Sequence, residues 1–437
     1  MKVTEAKAWL LARAGERGVE LEVLATTDRK LSIEAQKGAV NDVSLSSSGG
    51  IGLRVVTDGR VGYAYTEELS EAALAWTLDE AIANAELQED GSVTLPAGGA
   101  LGRFELVDEG LSAPLQEKKA ATIALEGKLA ADGRVQSVQY AGYMERESEV
   151  EIASTTGVDG AFRTGLASLY SALVMREGDS VKQGYERDAQ REFHQLDPGR
   201  TAQESLRKLG RHLGAKPLAT GRRRAVFEPD VVATLLALFT YAVSGKNLAE
   251  GTSRLEGKLG QKVASELITI VDDATLPHGL GSRPFDAEGT PAKRLVIVEE
   301  GVLRSFLHNS DTAARTGQAN TGHAKRSYRS TLDVGTSNLL LLPGGGVTLD
   351  SGVLVTDLMG VHAGANPITG DVSVQAMGME LVGGEQRPVE DFAISFNLFE
   401  LLERVEQVGA DVEPVAGFSG FAYVPSLAVA DLSFAGS

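Results

Sequence analysis

The chain of 437 residues contains no cysteine. That absence excludes disulfides, thiolate metal sites, iron–sulfur clusters and cysteine nucleophiles together. A long apolar run is also missing. The greasiest stretch, Val231 to Val243, is about 13 residues and includes Thr234, Thr240 and Tyr241, whereas a helix crossing a bilayer needs about 20 apolar residues. Met1-Lys2-Val3-Thr4-Glu5-Ala6 leads into a charged helix rather than an apolar signal core, so a cytoplasmic protein with no membrane partner is expected. Positive charge is in deficit. With 42 Lys and Arg against 60 Asp and Glu the net charge is −18, which disfavours a broad electrostatic grip on nucleic acid. The short cluster Arg222-Arg223-Arg224 reads as a solvated surface feature. Histidine is scarce and dispersed: His194, His212, His278, His308, His323 and His362. A zinc-binding helix needs two imidazoles about one turn apart, and no such pair exists. A site assembled from distant histidines stays open.

What is present is apolar material enough for a folded chain of two or three domains, 43% of residues, and 50 glycines, as many tight turns would require. Thr4 can cap a helix running to about Ala14. Leu21–Ala25 and Leu31–Ala35 read as strands. Ile51–Val56 and Val61–Tyr65 flank Asp58-Gly59, a hairpin turn. Glu67–Ala85 is a long amphipathic helix. Leu115–Ala131 is helical, Val135–Ser154 reads as two strands around Arg146-Glu147, Ala161–Arg176 as a strand pair, and Thr201–Leu213 as a helix. This is an N-terminal α/β domain with a mixed sheet, residues 1–215, which can be read as two similar halves. The Gly214–Pro217 segment marks a boundary. Residues 216–437 form a β-rich domain with a helix at Asp230–Ser244, a hairpin at Arg294–Leu303 turning at Glu300-Gly301, strands at Leu354–Leu358 and Met377–Val382, and a helix at Asn397–Val408. The fold class is α+β.

Phosphate loops are nearly absent: Leu259 follows Gly257-Lys258 where a magnesium-binding hydroxyl belongs, the preceding Gly251 is misplaced, and Gly344-Gly345-Gly346 after Pro343 reads as a turn rather than a phosphate cradle. One loop is dense in polar groups, from His308 and Asp311 to Thr321, Gly322 and His323. It is either a solvated connection, with Asp311 and Thr321 capping turns, or a binding loop between strands.

Gly50-Ile51-Gly52-Leu53-Arg54-Val55 with Asp58-Gly59-Arg60-Val61-Gly62 resembles the N-terminal signature of the TldD/PmbA family. Thr321-Gly322-His323-Ala324-Lys325-Arg326 is similar to that family's Thr-Gly-Asn-Ala-Arg-type loop. Val355-Thr356-Asp357-Leu358-Met359-Gly360, then Thr369-Gly370-Asp371-Val372-Ser373, then Pro388-Val389-Glu390 and Ile394-Ser395-Phe396-Asn397-Leu398 resemble its later segments in order. The resemblance spans nearly the whole chain. It implies paired subunits acting in peptide maturation and proteolysis, known also as modulators of DNA gyrase.

The family's catalytic type carries His-Glu-x-x-x-His on a helix and a further zinc ligand from a C-terminal cysteine, the glutamate serving as general base on zinc-bound water. By resemblance the equivalent positions here are Thr240, Tyr241 and Gly245 on the Asp230–Ser244 helix. None of the ligands is present, and the cysteine is missing too. The resemblance therefore implies the PmbA (TldE) type: no catalytic residue, metal or cofactor in this chain, and zinc in a TldD-type partner subunit. The assembly would be a heterodimer or larger, or a homodimer, with an unfolded or precursor peptide as substrate and His308, Asp311, Thr321, Gly322 and His323 as a candidate peptide-binding loop. Two other readings stay open: a stand-alone homodimeric hydrolase whose site includes His308, Asp311 and His323, and a regulatory protein binding a partner such as gyrase.

Overall fold

The computed structural model describes residues 1–89, 93–107, 109–417 and 420–436. The first part of the chain runs α1 (Val3–Arg17), β1 (Glu20–Gln36), β2 (Ala39–Thr57), β3 (Arg60–Thr66), α2 (Glu71–Glu86), β4 (Ala100–Leu106), α3 (Leu115–Ala130), β5 (Val135–Ser154), β6 (Asp159–Glu177), β7 (Ser180–Gln190) and α4 (Pro198–Gly210). Its strands form one seven-stranded sheet in the order β3-β2-β1-β5-β6-β4, with β7 also on β6. Only β4 runs parallel to its neighbour, so the sheet is mixed. The order α-β-β-β-α occurs twice, as α1 to α2 and as α3 to α4, and the two runs meet where β1 pairs antiparallel with β5.

One face of the sheet carries all four helices. Leu21, Val23 and Ala25 of β1 pack under α1 and α2, and Leu31 and Ile33 under α3. These are alternate residues of one strand, so they point to one face. The opposite face meets the second part of the chain, where Leu24, Ile152 and Phe162 pack on Phe285. Between the two helix pairs the middles of β1 and β5 are polar and partly exposed, while β6 stays largely buried, and the pairing runs through all three. So β1, β5 and β6 are single long strands and not the shorter pairs that the sequence predicts. Asp28, Arg29 and Lys30 interrupt the apolar alternation but not the pairing, and Arg146 of β5 meets Asp28 at 2.7 Å. Helix starts follow their caps: α2 begins after Ser70, whose hydroxyl accepts from Ala73 N, and α4 after Asp197, which accepts from Gly199 N.

The second part runs β8 (Lys216–Pro217), β9 (Gly221–Phe227), α5 (Pro229–Ala242), α6 (Gly245–Ala249), β10 (Ile270–Asp273), β11 (Arg294–Glu299), β12 (Val302–Leu303), α7 (Ser310–Thr316), β13 (Ala324–Lys325), β14 (Asp333–Val334), β15 (Asn338–Leu341), β16 (Ser351–Met359), α8 (Val361–Gly364), β17 (Asp371–Val382), β18 (Glu385–Asn397), α9 (Leu398–Glu403), β19 (Val405–Val408), β20 (Glu413–Gly417), β21 (Gly420–Val424) and β22 (Leu427–Ala435). A seven-stranded sheet, β19-β22-β9-β16-β17-β18-β8, and a six-stranded one, β12-β11-β10-β15-β21-β20, share a core with α5. Val231, Val232, Leu235, Leu236 and Phe239 of α5 are all buried, which explains an apolar run too short for a bilayer. The predicted helix at Asn397–Val408 is corrected: it ends at Glu403, and Val405–Val408 pairs with β22. Val405 and Val408 are buried there, and β-branched residues suit that pleated, covered position. The fold is α+β. No helix among the described residues is long and apolar enough to cross a membrane.

Candidate functional site

The last turn of α5 carries Thr240 and Tyr241. The Thr240 hydroxyl donates to Ala237 O at 2.6 Å, and Tyr241 O accepts from Asn247 Nδ2 at 2.7 Å. The chain then bends, and Gly245 opens α6 with its N–H donating to Leu307 O at 2.7 Å. A Cβ added at Gly245 would lie 2.2 Å from His308 Nδ1 and 2.6 Å from Leu307 O. The imidazole of His308 thus fills the space in which a side chain at position 245 would begin. The helix end and the polar loop, far apart in sequence, form one packed unit.

Within that unit His308, Thr321 and His323 are brought together. His308 N–H donates to Thr321 Oγ1 at 2.6 Å, and His308 O accepts from the backbone N–H of both Thr321 and His323 at 3.2 Å. Nε2 of His323 lies 3.1 Å from Asp272 Oδ2, and its Nδ1 is 2.9 Å from Thr321 Oγ1. A carboxylate can only accept, so Nε2 of His323 is the donor to Asp272. Asp272 also accepts from Ser337 Oγ at 2.6 Å. Gly322 shapes the turn with a left-handed φ of 75°. Asp311 stands apart, in the first turn of α7, 3.6 Å from Arg315.

This chain of groups is buried: His308 and His323 are each 2% exposed and Asp272 is 0% exposed. Burial, with the charge of His323 adding to it, pushes the His308 imidazole down to about 4. Its Nδ1 is 3.1 Å from Thr312 Oγ1, while Nε2 has no hydrogen-bond partner.

Zinc does not fit the three residues that the resemblance puts at ligand positions. Thr240 is committed to a helix carbonyl, Tyr241 lends only its backbone to Asn247, and Gly245 offers no donor and no room for one. Among the described residues no three His, Asp or Glu side chains are grouped to hold a metal.

Sequence reasoning missed a second buried cluster that joins the two parts of the chain. Arg54 of β2 meets Glu288 at 2.5 Å and Glu22 of β1 at 3.7 Å, and Arg326 meets Glu22 at 2.7 Å. Glu288 also accepts from Ser310 N at 2.8 Å, at the start of α7. Asp286 accepts from Glu288 N, Thr290 N and Ala324 N at 2.8–3.0 Å. Burial raises the Glu22 and Asp286 carboxyls, the former against the pull of Arg326 and Arg54. Burial also opposes the charge on Arg54, but Glu22 and Glu288 outweigh it and hold the guanidinium protonated. Beside this cluster, Tyr328 lies across Gly50 and Gly52. A Cβ at Gly52 would be 2.3 Å from Tyr328 O. The available signal was an arginine alternating with Gly50, Gly52 and apolar residues in one strand.

Models of the PmbA/TldA metallopeptidase family match the chain as domain 1 over residues 21–85, as central domain over 108–213 and as C-terminal domain over 220–436. The Metalloprotease PmbA homolog of Haemophilus influenzae is 28% identical, with 94% of this chain and 92% of that one covered. Metalloprotease PmbA of Escherichia coli O157:H7 is 26% identical, with 96% and 94% covered. Among solved structures, a Thermotoga maritima protein described as a candidate modulator of a DNA gyrase superposes with a TM-score of 0.87 at 27% identity, covering 99% of this chain and 100% of its own. TldE of Thermococcus kodakarensis shares the fold, with a TM-score of 0.85 at 24% identity and 98% and 100% covered. With three consecutive domains matched and relatives aligned along almost its whole length, the chain belongs to the PmbA/TldD metallopeptidase family, and its function is of the peptidase type.

Proposed function

We propose that this chain is the PmbA-type, metal-free subunit of a two-subunit zinc peptidase, and that it acts with a TldD-type partner on unfolded or precursor peptides in the cytoplasm. The observation that carries this reading is the packing at Gly245. The position equivalent to a family zinc ligand has no side chain, and the His308 ring occupies its space. His308 does not replace the missing ligand, because its Nδ1 faces Thr312 and its Nε2 is sealed from solvent. Zinc held by the partner would supply an activated water at neutral pH. This chain would supply shaped walls and strand edges that hold an extended peptide through backbone hydrogen bonds, tolerating many sequences.

The test is reconstitution with a family member that bears His-Glu-x-x-x-His. The mixture should co-elute, cleave an unfolded peptide and lose that activity to a chelator. Peptide cleavage by the purified chain alone would sink the reading in favour of a stand-alone hydrolase. The description of the Thermotoga neighbour favours a second reading, a regulatory contact with gyrase. A supercoiling assay unchanged by excess of this chain removes it.

A further inference from the structure

A cleft of about 710 Å³ opens between β7 and α4 on one side and β16, β17 and β20 on the other. None of Thr240, Tyr241, Gly245, His308, Thr321 or His323 lines it. Its volume is that of a ligand site. Two of its walls are the outermost strands of different sheets. Among the described residues β7 pairs only with β6, and β20 only with β21. Each therefore leaves one row of backbone N–H and C=O groups without a strand partner.

The charges of the cleft are unevenly matched. Lys208 is shared between Glu186 at 3.1 Å and Asp230 at 2.8 Å. Arg200 pairs with Asp188, and Arg207 with Glu204. Asp357 and Glu413 have no ion-pair partner among the described residues; both keep an exposed surface, and the partial desolvation of the cleft raises the two carboxyls, for Glu413 against the pull of Lys208. His212 adds another acceptor. It is 4% exposed, and its Nε2 lies 3.2 Å from Thr356 Oγ1. That hydroxyl spends its own proton on Met377 O, so it accepts from Nε2–H and leaves Nδ1 an unprotonated acceptor without a donor. The groups left over are thus mainly acceptors, with the Arg187 guanidinium on β7 as the cationic exception.

We propose that this cleft binds an extended peptide segment carrying a lysine or arginine side chain. The peptide backbone adds to the open edge of β7, and the cationic side chain reaches Asp357 and Glu413. Strand addition supplies affinity without sequence preference, and the two carboxylates supply the preference for a cation. This binding is a property of the chain alone, so it stands or falls separately from the existence of a catalytic partner.

The test is fluorescence anisotropy with the full chain and a labelled peptide of about eight residues, the reach of a strand, alternating valine with lysine. Three comparisons accompany it: the same peptide with glutamate for lysine, the lysine peptide N-methylated at alternate residues, and the D357N/E413Q chain. The lysine peptide should bind, and each comparison should weaken binding by about tenfold or more, the scale of a lost charge-assisted hydrogen bond. Asp357 and Glu413 are exposed, so the variant should keep the parent's denaturation midpoint. Equal binding of lysine and glutamate peptides, or unchanged affinity of the variant, would overturn the cation site. Indifference to N-methylation would overturn strand addition, and no binding of the lysine peptide at about millimolar concentration would overturn both.

Discussion

Replacing Gly245 by alanine places a methyl carbon against both a ring and a carbonyl, His308 Nδ1 and Leu307 O. We expect G245A to lose about 1–3 kcal/mol, as overpacked cores do, read as a shifted denaturation midpoint. The H308A/G245A chain should recover only part of that loss, because the carbonyl contact remains. Full recovery would mean that the ring alone sets the packing. A second expectation concerns pH. His308 and His212 are both held down to about 4, from an ordinary value of 6.5, burial being the main cause. Each is neutral when folded, whereas the unfolded chain takes up the proton below 6.5. Their contribution to stability should therefore be constant above about pH 6.5, fall as pH drops toward 4, and level off below that. The H308Q chain should show a shallower fall in denaturation measured across that window. At this scale the sequence was half legible. That Thr240, Tyr241 and Gly245 are not metal-ligating residue types is plain from the sequence. The ring that fills the gap could not be read there, since nothing local ties His308 to Gly245.

Two segments that the sequence offered as separate signatures prove to be one joint. The strand Gly50–Arg54 and the loop Thr321–Arg329 meet face to face. Gly52 lets Tyr328 approach, Arg54 reaches Glu288, and Arg326 returns to Glu22. Removing one member of such a cluster strands a buried charge, at a cost of about 3–5 kcal/mol. We expect R54M to lose that much and to separate the unfolding of the two parts of the chain. Urea titrations followed by tryptophan fluorescence, with Trp9 and Trp76 both in the first part, and by far-UV circular dichroism should then cease to coincide. Coincident curves with an unchanged midpoint would show that the cluster does not couple the parts. The alternation of Leu21, Glu22, Val23 and Leu24 could not reveal this role. Both faces of β1 are covered there, so a polar residue does not mark the solvent side. The same double cover hid the continuity of β1 and β5 in reverse: their middles are polar because no helix covers them, not because the strands stop.

For the whole molecule, the α+β order was legible from periodicity and turns, but the antiparallel union of β1 with β5 was not, because no short-range signal encodes a pairing across more than a hundred residues. Two expectations belong to this scale. Elemental analysis of the purified chain should find zinc well below one atom per chain, and about one tightly held zinc would contradict the metal-free proposal. Light scattering should give a dimer or larger assembly rather than a 46.0 kDa monomer, and a monomer that no family partner shifts would count against pairing. The joint between the two parts also dictates an order of events during synthesis. Glu22 and Arg54 leave the ribosome early, whereas Glu288 is added 234 residues after Arg54 and Arg326 later still. At about 5–20 residues per second, the delay is on the order of tens of seconds. Throughout it the nascent first sheet carries an unfinished face, with Leu24, Ile152 and Phe162 still lacking Phe285. Until Phe285 is made, the N-terminal sheet exposes apolar surface of the kind chaperones bind, and a transcript truncated before residue 285 yields a product that exposes this face for good.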